Sequence, residues 1–173
     1  MKKSLLAVLL TTLLISIAID GRSQESRPVD AWNWIIPLKT KRADVENAFG
    51  TSISDDLSHP FQTYETKFGR ITVVYATEEN ERLDNQCRVG KGTVINYSVS
   101  PRKLKLSDLF YDLTKFKRDG SAAPRELVYF SGSLGILIDT TIEELQDYTR
   151  VERVVMLEYH APESFVCPKW IRK

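Results

Sequence analysis

The chain has 173 residues, 42% of them hydrophobic, with 24 Lys and Arg against 23 Asp and Glu for a formal net charge of +1. That is enough chain to bury one sizeable core and too little for several. The near balance of charge excludes the basic excess of a nucleic-acid or anionic-lipid binder, so no nucleic-acid partner is expected.

Residues 1–23 have the layout of a secretory signal peptide. Lys2 and Lys3 precede an apolar run from Leu5 to Ile19 that is broken only by Thr11, Thr12 and Ser16, and small residues follow. Removal after Ser23 or after Ala18 both suit a signal peptidase. The alternative is a retained anchor, but the run is shorter than the ~20 residues a comfortable span needs. Cleavage would leave no stable membrane insertion and a periplasmic or secreted protein. No cysteine stands near the end of this run to carry a lipid. Residues 24–31 are polar, contain Arg27-Pro28, and predict a flexible lead-in.

Residues 37–50 predict a short amphipathic helix. Val45, Ala48 and Phe49 fall at i, i+3 and i+4, and Gly50 stands where a left-handed C-cap belongs. Trp32 and Trp34 just upstream could be a ligand platform or a hydrophobic lead-in packed under that helix. Residues 61–67 and 70–77 flank Phe68-Gly69 as a hairpin, the second arm being rich in β-branched and aromatic residues. Residues 78–92 predict a long loop with Cys87 near its tip, and residues 93–100 a half-buried strand ended by Pro101.

The plan then repeats. Leu106, Leu109, Phe110 and Leu113 have helical spacing, with Ser107 and Asp108 at its start. Residues 115–124 predict a polar connection, and residues 126–130 and 134–139 a second hairpin. Thr141 and Glu144 are spaced as a capping box for a further helical turn, and residues 151–160 form the last strand before Pro162. The fold class expected is therefore α+β: an antiparallel sheet with helices on one face, from an αβββ unit at 32–101 and a second at 102–173 in the same compact domain. A single irregular α+β domain is the alternative. Cys87 and Cys167 sit in polar or Pro-bounded segments, and in an oxidising compartment they predict one disulfide, worth about 4 kcal/mol in the chain-entropy model. A free thiol or a redox pair is the other possibility.

At Val45-Glu-Asn-Ala-Phe-Gly50, preceded by Leu38 and Thr40 and followed by a hairpin, the sequence resembles the SmpA/OmlA group of outer-membrane assembly lipoproteins, BamE among them, and the tandem-repeat fold of β-lactamase inhibitor proteins. The resemblance implies a short helix packed on a small antiparallel sheet. Lys41 stands where those lipoproteins place a Ser or Thr cap, leaving Thr40 to cap from one residue back or not at all, and the lipid-bearing cysteine is missing. A closer likeness is to uncharacterised exported bacterial proteins that carry Trp, Ile-Pro-Leu, Asp-Val-Glu and Gly in this order, and it implies no activity.

Little in the chain points to catalysis. His59 and His160 are the two histidines, no ligand spacing suggests a metal or another cofactor, and no Gly-x-Ser-x-Gly elbow or phosphate loop is present. Glu158 and His160 lie at i and i+2 on a strand, with Asp139 on a possible neighbour, so the alternative function is a small periplasmic hydrolase or ligand-binding protein using that region. The leading expectation is a non-enzymatic binding domain with an envelope protein as its partner. The uncovered face of the sheet is expected to present Tyr64, Tyr75, Tyr97, Tyr129 and Tyr159, unless these belong to the core.

Overall fold

The computed structural model describes residues 27–54, 59–78, 81–82, 88–123 and 125–163. The expected signal peptide and both cysteines lie outside these residues. Among the described residues no helix is long and apolar enough to cross a membrane.

One antiparallel sheet of seven strands forms the body, in the order β1-β2-β5-β9-β8-β7-β6. The strands are β1 (Phe61–Thr66), β2 (Gly69–Tyr75), β5 (Val94–Pro101), β6 (Lys117–Ala123), β7 (Glu126–Ser131), β8 (Ile136–Glu144) and β9 (Arg150–Tyr159). A two-stranded ribbon, β3 (Glu81–Arg82) and β4 (Arg88–Val89), stands apart within the segment expected as a loop. The described residues contain a single α-helix, α1 (Arg42–Phe49).

Helix α1 forms where the apolar spacing places it, and Val45 is its fully buried side chain. Its first turn is capped by Asp44, whose Oδ2 accepts from the Lys41 amide at 3.0 Å. Thr40 does not cap it: its Oγ1 accepts from the Ile36 amide at 2.8 Å and closes the turn that precedes the helix. That segment is laced to the start of β5, with Leu38 N donating to Val94 O at 2.7 Å and Val94 N to Thr40 O at 2.9 Å. Gly50 ends the helix at φ 82°, a conformation that costs glycine little.

Several expected elements take a different form. Residues 106–113 are not an α-helix but two 3-10 turns, Leu106–Leu109 and Leu113–Lys115, which still bury Leu106 and Leu109. Phe110 between them is left-handed at φ 56°, which breaks the helical path. The polar connection expected at 115–124 contains strand β6, since its backbone pairs with β7 whatever its side chains are. The spacing of Thr141 and Glu144 does not start a helical turn: both lie in β8, where Thr141 pairs with Arg153 and Glu144 with Arg150. Within the expected flexible lead-in, Pro28–Ala31 is a 3-10 turn that buries Val29.

The core lies on one side of the sheet, under α1 and the 3-10 turns. Trp32, Val45, Tyr64, Ile71, Val73, Tyr75, Val94 and Val99 fill it beneath the first strands, and Tyr129, Ile136, Ile138, Val154 and Leu157 beneath the later ones. Each such side chain contributes about 1.5–3 kcal/mol through burial. Trp34 stays 38% exposed with its ring 5.6 Å from that of Phe49. The free edge of β1 is partly occupied by its own loop: Ile53 N donates to Thr63 O at 2.8 Å, and Thr63 N to Ser54 Oγ at 3.0 Å.

Candidate functional site

The five tyrosines expected on the open face are all in the core, each no more than 8% exposed. They point inward because their hydroxyls find partners there. Tyr64 and Tyr75 share a hydrogen bond of 3.0 Å. Trp32 Nε1 donates to Tyr159 Oη at 3.0 Å, the Tyr111 and Tyr159 hydroxyls are 3.1 Å apart, and the Tyr97 hydroxyl donates to the Trp32 carbonyl at 3.4 Å. The rings of Tyr97 and Tyr159 stack at 4.5 Å across the β5–β9 junction. Burial pushes the Tyr75, Tyr97 and Tyr159 phenols far above their ordinary range, so they stay neutral hydrogen-bonding groups. Burial and the nearby Glu152 carboxylate raise Tyr129 as well. These phenols hold the core together and offer no docking surface.

The face that the described residues leave uncovered is lined by the alternate residues of the same strands. One transverse row crosses the whole sheet as Lys117, Phe130, Leu137, Glu158, Ser98, Thr72 and Thr63, each opposite the next. Its two ends differ in chemistry. Over β1, β2 and β5 the row is small and hydroxylic, with Thr63 and Thr72 Oγ1 atoms 3.1 Å apart. Beside it Glu65 is held by Arg70 and Arg102, and the Arg102 contact, chiefly, keeps its carboxyl below the usual range.

Over β7, β8 and β9 the face is apolar and acidic. Phe130 is 42% exposed and Val155 50%, while Val128, Leu137 and Met156 are half-buried. Among them stand Glu126, Asp139 and Glu158, none of which has a Lys or Arg ion pair among the described residues. Asp139 is pushed above the ordinary carboxylate range by partial burial first, then by the charges of Glu158 and Glu126. The register shifts between Asp139 and Thr140, which pair with Met156 and Val154 and leave Val155 as a bulge. At that bulge a hollow of about 350 Å³ opens, lined by Glu126, Leu127, Val128, Asp139, Thr140 and Val155.

The expected Glu158 and His160 pair does meet, Glu158 Oε2 lying 3.3 Å from His160 Nε2. Both side chains face solvent, at 34% and 48% exposure, and among the described residues no hydroxyl hydrogen-bonds His160. No group of three or more His, Cys, Asp or Glu among the described residues is arranged to hold a metal ion. A groove of about 470 Å³ also runs between Lys105, Leu106, Ser107 and Leu113 and the start of β9.

No family model, curated protein or solved structure matches this chain. The functional reading therefore stands on the geometry of the open face. Sequence reasoning missed that face because alternation gives two faces for each strand without saying which is inside. The signal present was the set of small hydroxyl residues, Thr63, Thr72 and Ser98, at alternate positions of three strands.

Proposed function

We propose that this protein is an exported, non-enzymatic interaction domain of the cell envelope, periplasmic or secreted, that engages another protein through the β7–β9 half of its open face. The observation carrying this reading is the strip of half-exposed apolar side chains at Val128, Phe130, Leu137, Val155 and Met156, set among Glu126, Asp139 and Glu158, which have no Lys or Arg ion pair among the described residues. Water solvates such a mixture poorly, and a partner that covers it gains apolar burial and charge pairing together.

The domain is built from two SmpA- and β-lactamase-inhibitor-like units. Strands β1, β2 and β5 in the first correspond to β7, β8 and β9 in the second, and the last strand of each meets the other at the middle of the sheet, where Tyr97 pairs with Tyr159. Gly69 and Gly135 begin the second arms of the two hairpins, both at positive φ, and each lies against the backbone that ends its unit's third strand. The short helix ended by Gly50 on an antiparallel sheet is the arrangement the SmpA/OmlA resemblance implies. The Cys87–Cys167 disulfide expected from the sequence is part of this proposal, its two cysteines lying outside the described residues. Among the described residues, Ala161 packs on the small cluster of Leu38, Ala76 and Val89.

The contact between Glu158 and His160 favours a second reading, a small hydrolase or ligand-binding protein. Substituting His160 by Ala, which leaves the carboxylates of the open face in place, separates the two. Recovery of the same envelope partner by the variant supports the interaction domain, and loss of a turnover that the unaltered protein shows on a substrate panel contradicts it.

A further inference from the structure

We infer that the hollow beside Val155 is the seat of a long basic side chain, Lys or Arg, carried by an otherwise apolar segment of the partner. The inference rests on the reading of this face as a docking surface and names the chemistry the face selects. Val128 and Val155 give the hollow apolar walls, while Glu126 and Asp139 supply carboxylates within it. An aliphatic stem with a cationic head is the side-chain type that satisfies both kinds of surface. A volume of about 350 Å³ stands at the small end of the ~300–1,000 Å³ typical of ligand pockets, as suits one side chain rather than a large cofactor.

The electrostatics point the same way. Partial burial and the charges of Glu158 and Glu126 disfavour the Asp139 carboxylate, and no Lys or Arg among the described residues relieves it. A guanidinium or ammonium entering the hollow would relieve it, whereas an anion would add a like charge. Around the hollow, Phe130, Leu137 and Met156 meet the apolar neighbours of that basic residue. The Thr140 hydroxyl is already engaged, with Leu127 O at 3.2 Å and Glu152 Oε1 at 2.6 Å, so recognition falls to the carboxylates.

The test is a nuclear magnetic resonance titration of the full exported chain with the peptide acetyl-Leu-Ala-Arg-Ala-Leu-amide and with its citrulline analogue, which keeps the shape of the arginine and removes its charge. The expected result is saturable shifts centred on the amides of Val128, Asp139 and Val155, with affinity at least tenfold higher for the arginine peptide, and loss of that preference in the Glu126→Gln, Asp139→Asn double variant. The citrulline comparison needs no variant, so it decides even if the double variant folds poorly. Equal affinity for the two peptides, or shifts centred elsewhere, would overturn the inference. So would binding that requires removal of residues 164–173, since those residues would then be the occupant. A natural partner cross-linked over Phe130 through a segment without Lys or Arg would overturn this inference and leave the docking reading intact.

Discussion

The two halves of the open face share a strand pattern and differ in how their charges are settled. Over β1, β2 and β5, Glu65 has Arg70 and Arg102, and Thr63 has Thr72, so the surface satisfies its own polar groups. Over β7, β8 and β9, Asp139 and Glu126 have no such cation among the described residues, and Phe130 and Val155 are left half in water. A surface that is internally satisfied gains little from a partner. One that is apolar and uncompensated gains on both counts, which is why the docking surface is proposed for the β7–β9 half.

The largest expected effects test how alike the two halves are. A Cβ at Gly69 would collide with Ser100 O, and one at Gly135 with His160 O, both on positive-φ backbone. Gly69→Ala and Gly135→Ala should each cost about 2–3 kcal/mol in urea unfolding. A large loss at one position with none at the other would break the correspondence between the hairpins. Next is the junction between the halves. Tyr159→Phe removes the hydroxyl that serves both Trp32 and Tyr111, and should cost about 1–3 kcal/mol. Tyr64→Phe breaks the single pair with Tyr75 inside the first half and should cost about 1 kcal/mol. Reversal of that order would mean that the junction is not where the tyrosine network matters most.

Much of this architecture was legible before the structure. Val45, Ala48, Phe49 and Gly50 located α1, and β-branched runs around Phe68-Gly69 located the first hairpin, because periodicity and a glycine turn are local properties. Strand β6 was not legible, since Lys117-Arg-Asp-Gly-Ser-Ala-Ala has no alternation and becomes a strand by pairing with β7. Leu106 and Leu109 carried true burial information but the wrong helix, because a 3-10 turn can bury leucines with α-like spacing, whereas Leu113, after the left-handed Phe110, stays 39% exposed. The tyrosines failed for a different reason. Their rings suit either face, and the hydroxyl partners come from other parts of the chain: Trp32 and Tyr111 for Tyr97 and Tyr159, the facing strand for Tyr64 and Tyr75, and Glu152 for Tyr129.

The smallest effects sharpen the electrostatic contrast. Asp139 has a carboxyl raised above its ordinary 3.8, so the stability associated with its protonated form is present below that value and lost as pH rises through the raised one. Asp139→Asn should therefore stabilise the fold at neutral pH by about 0.5 kcal/mol, allowing for solvent screening, as read in thermal unfolding. Glu65 has a carboxyl lowered below 4.5, so its contribution is present above 4.5 and lost as pH falls through the lowered value. Glu65→Gln should slightly destabilise the fold at neutral pH. The same sign for both substitutions would erase the contrast.

The most direct measurement places photoreactive p-benzoylphenylalanine at position 130 in one version of the full chain and at position 72 in another, then compares cross-linking in the envelope fraction of cells that produce it, where the proposed export would put it. These positions occupy one transverse row on the two contrasting halves. The account predicts a discrete cross-linked protein from position 130, abolished by Asp139→Lys, and none from position 72. Equal yields from both positions, or capture at 130 unaffected by Asp139→Lys, would contradict it.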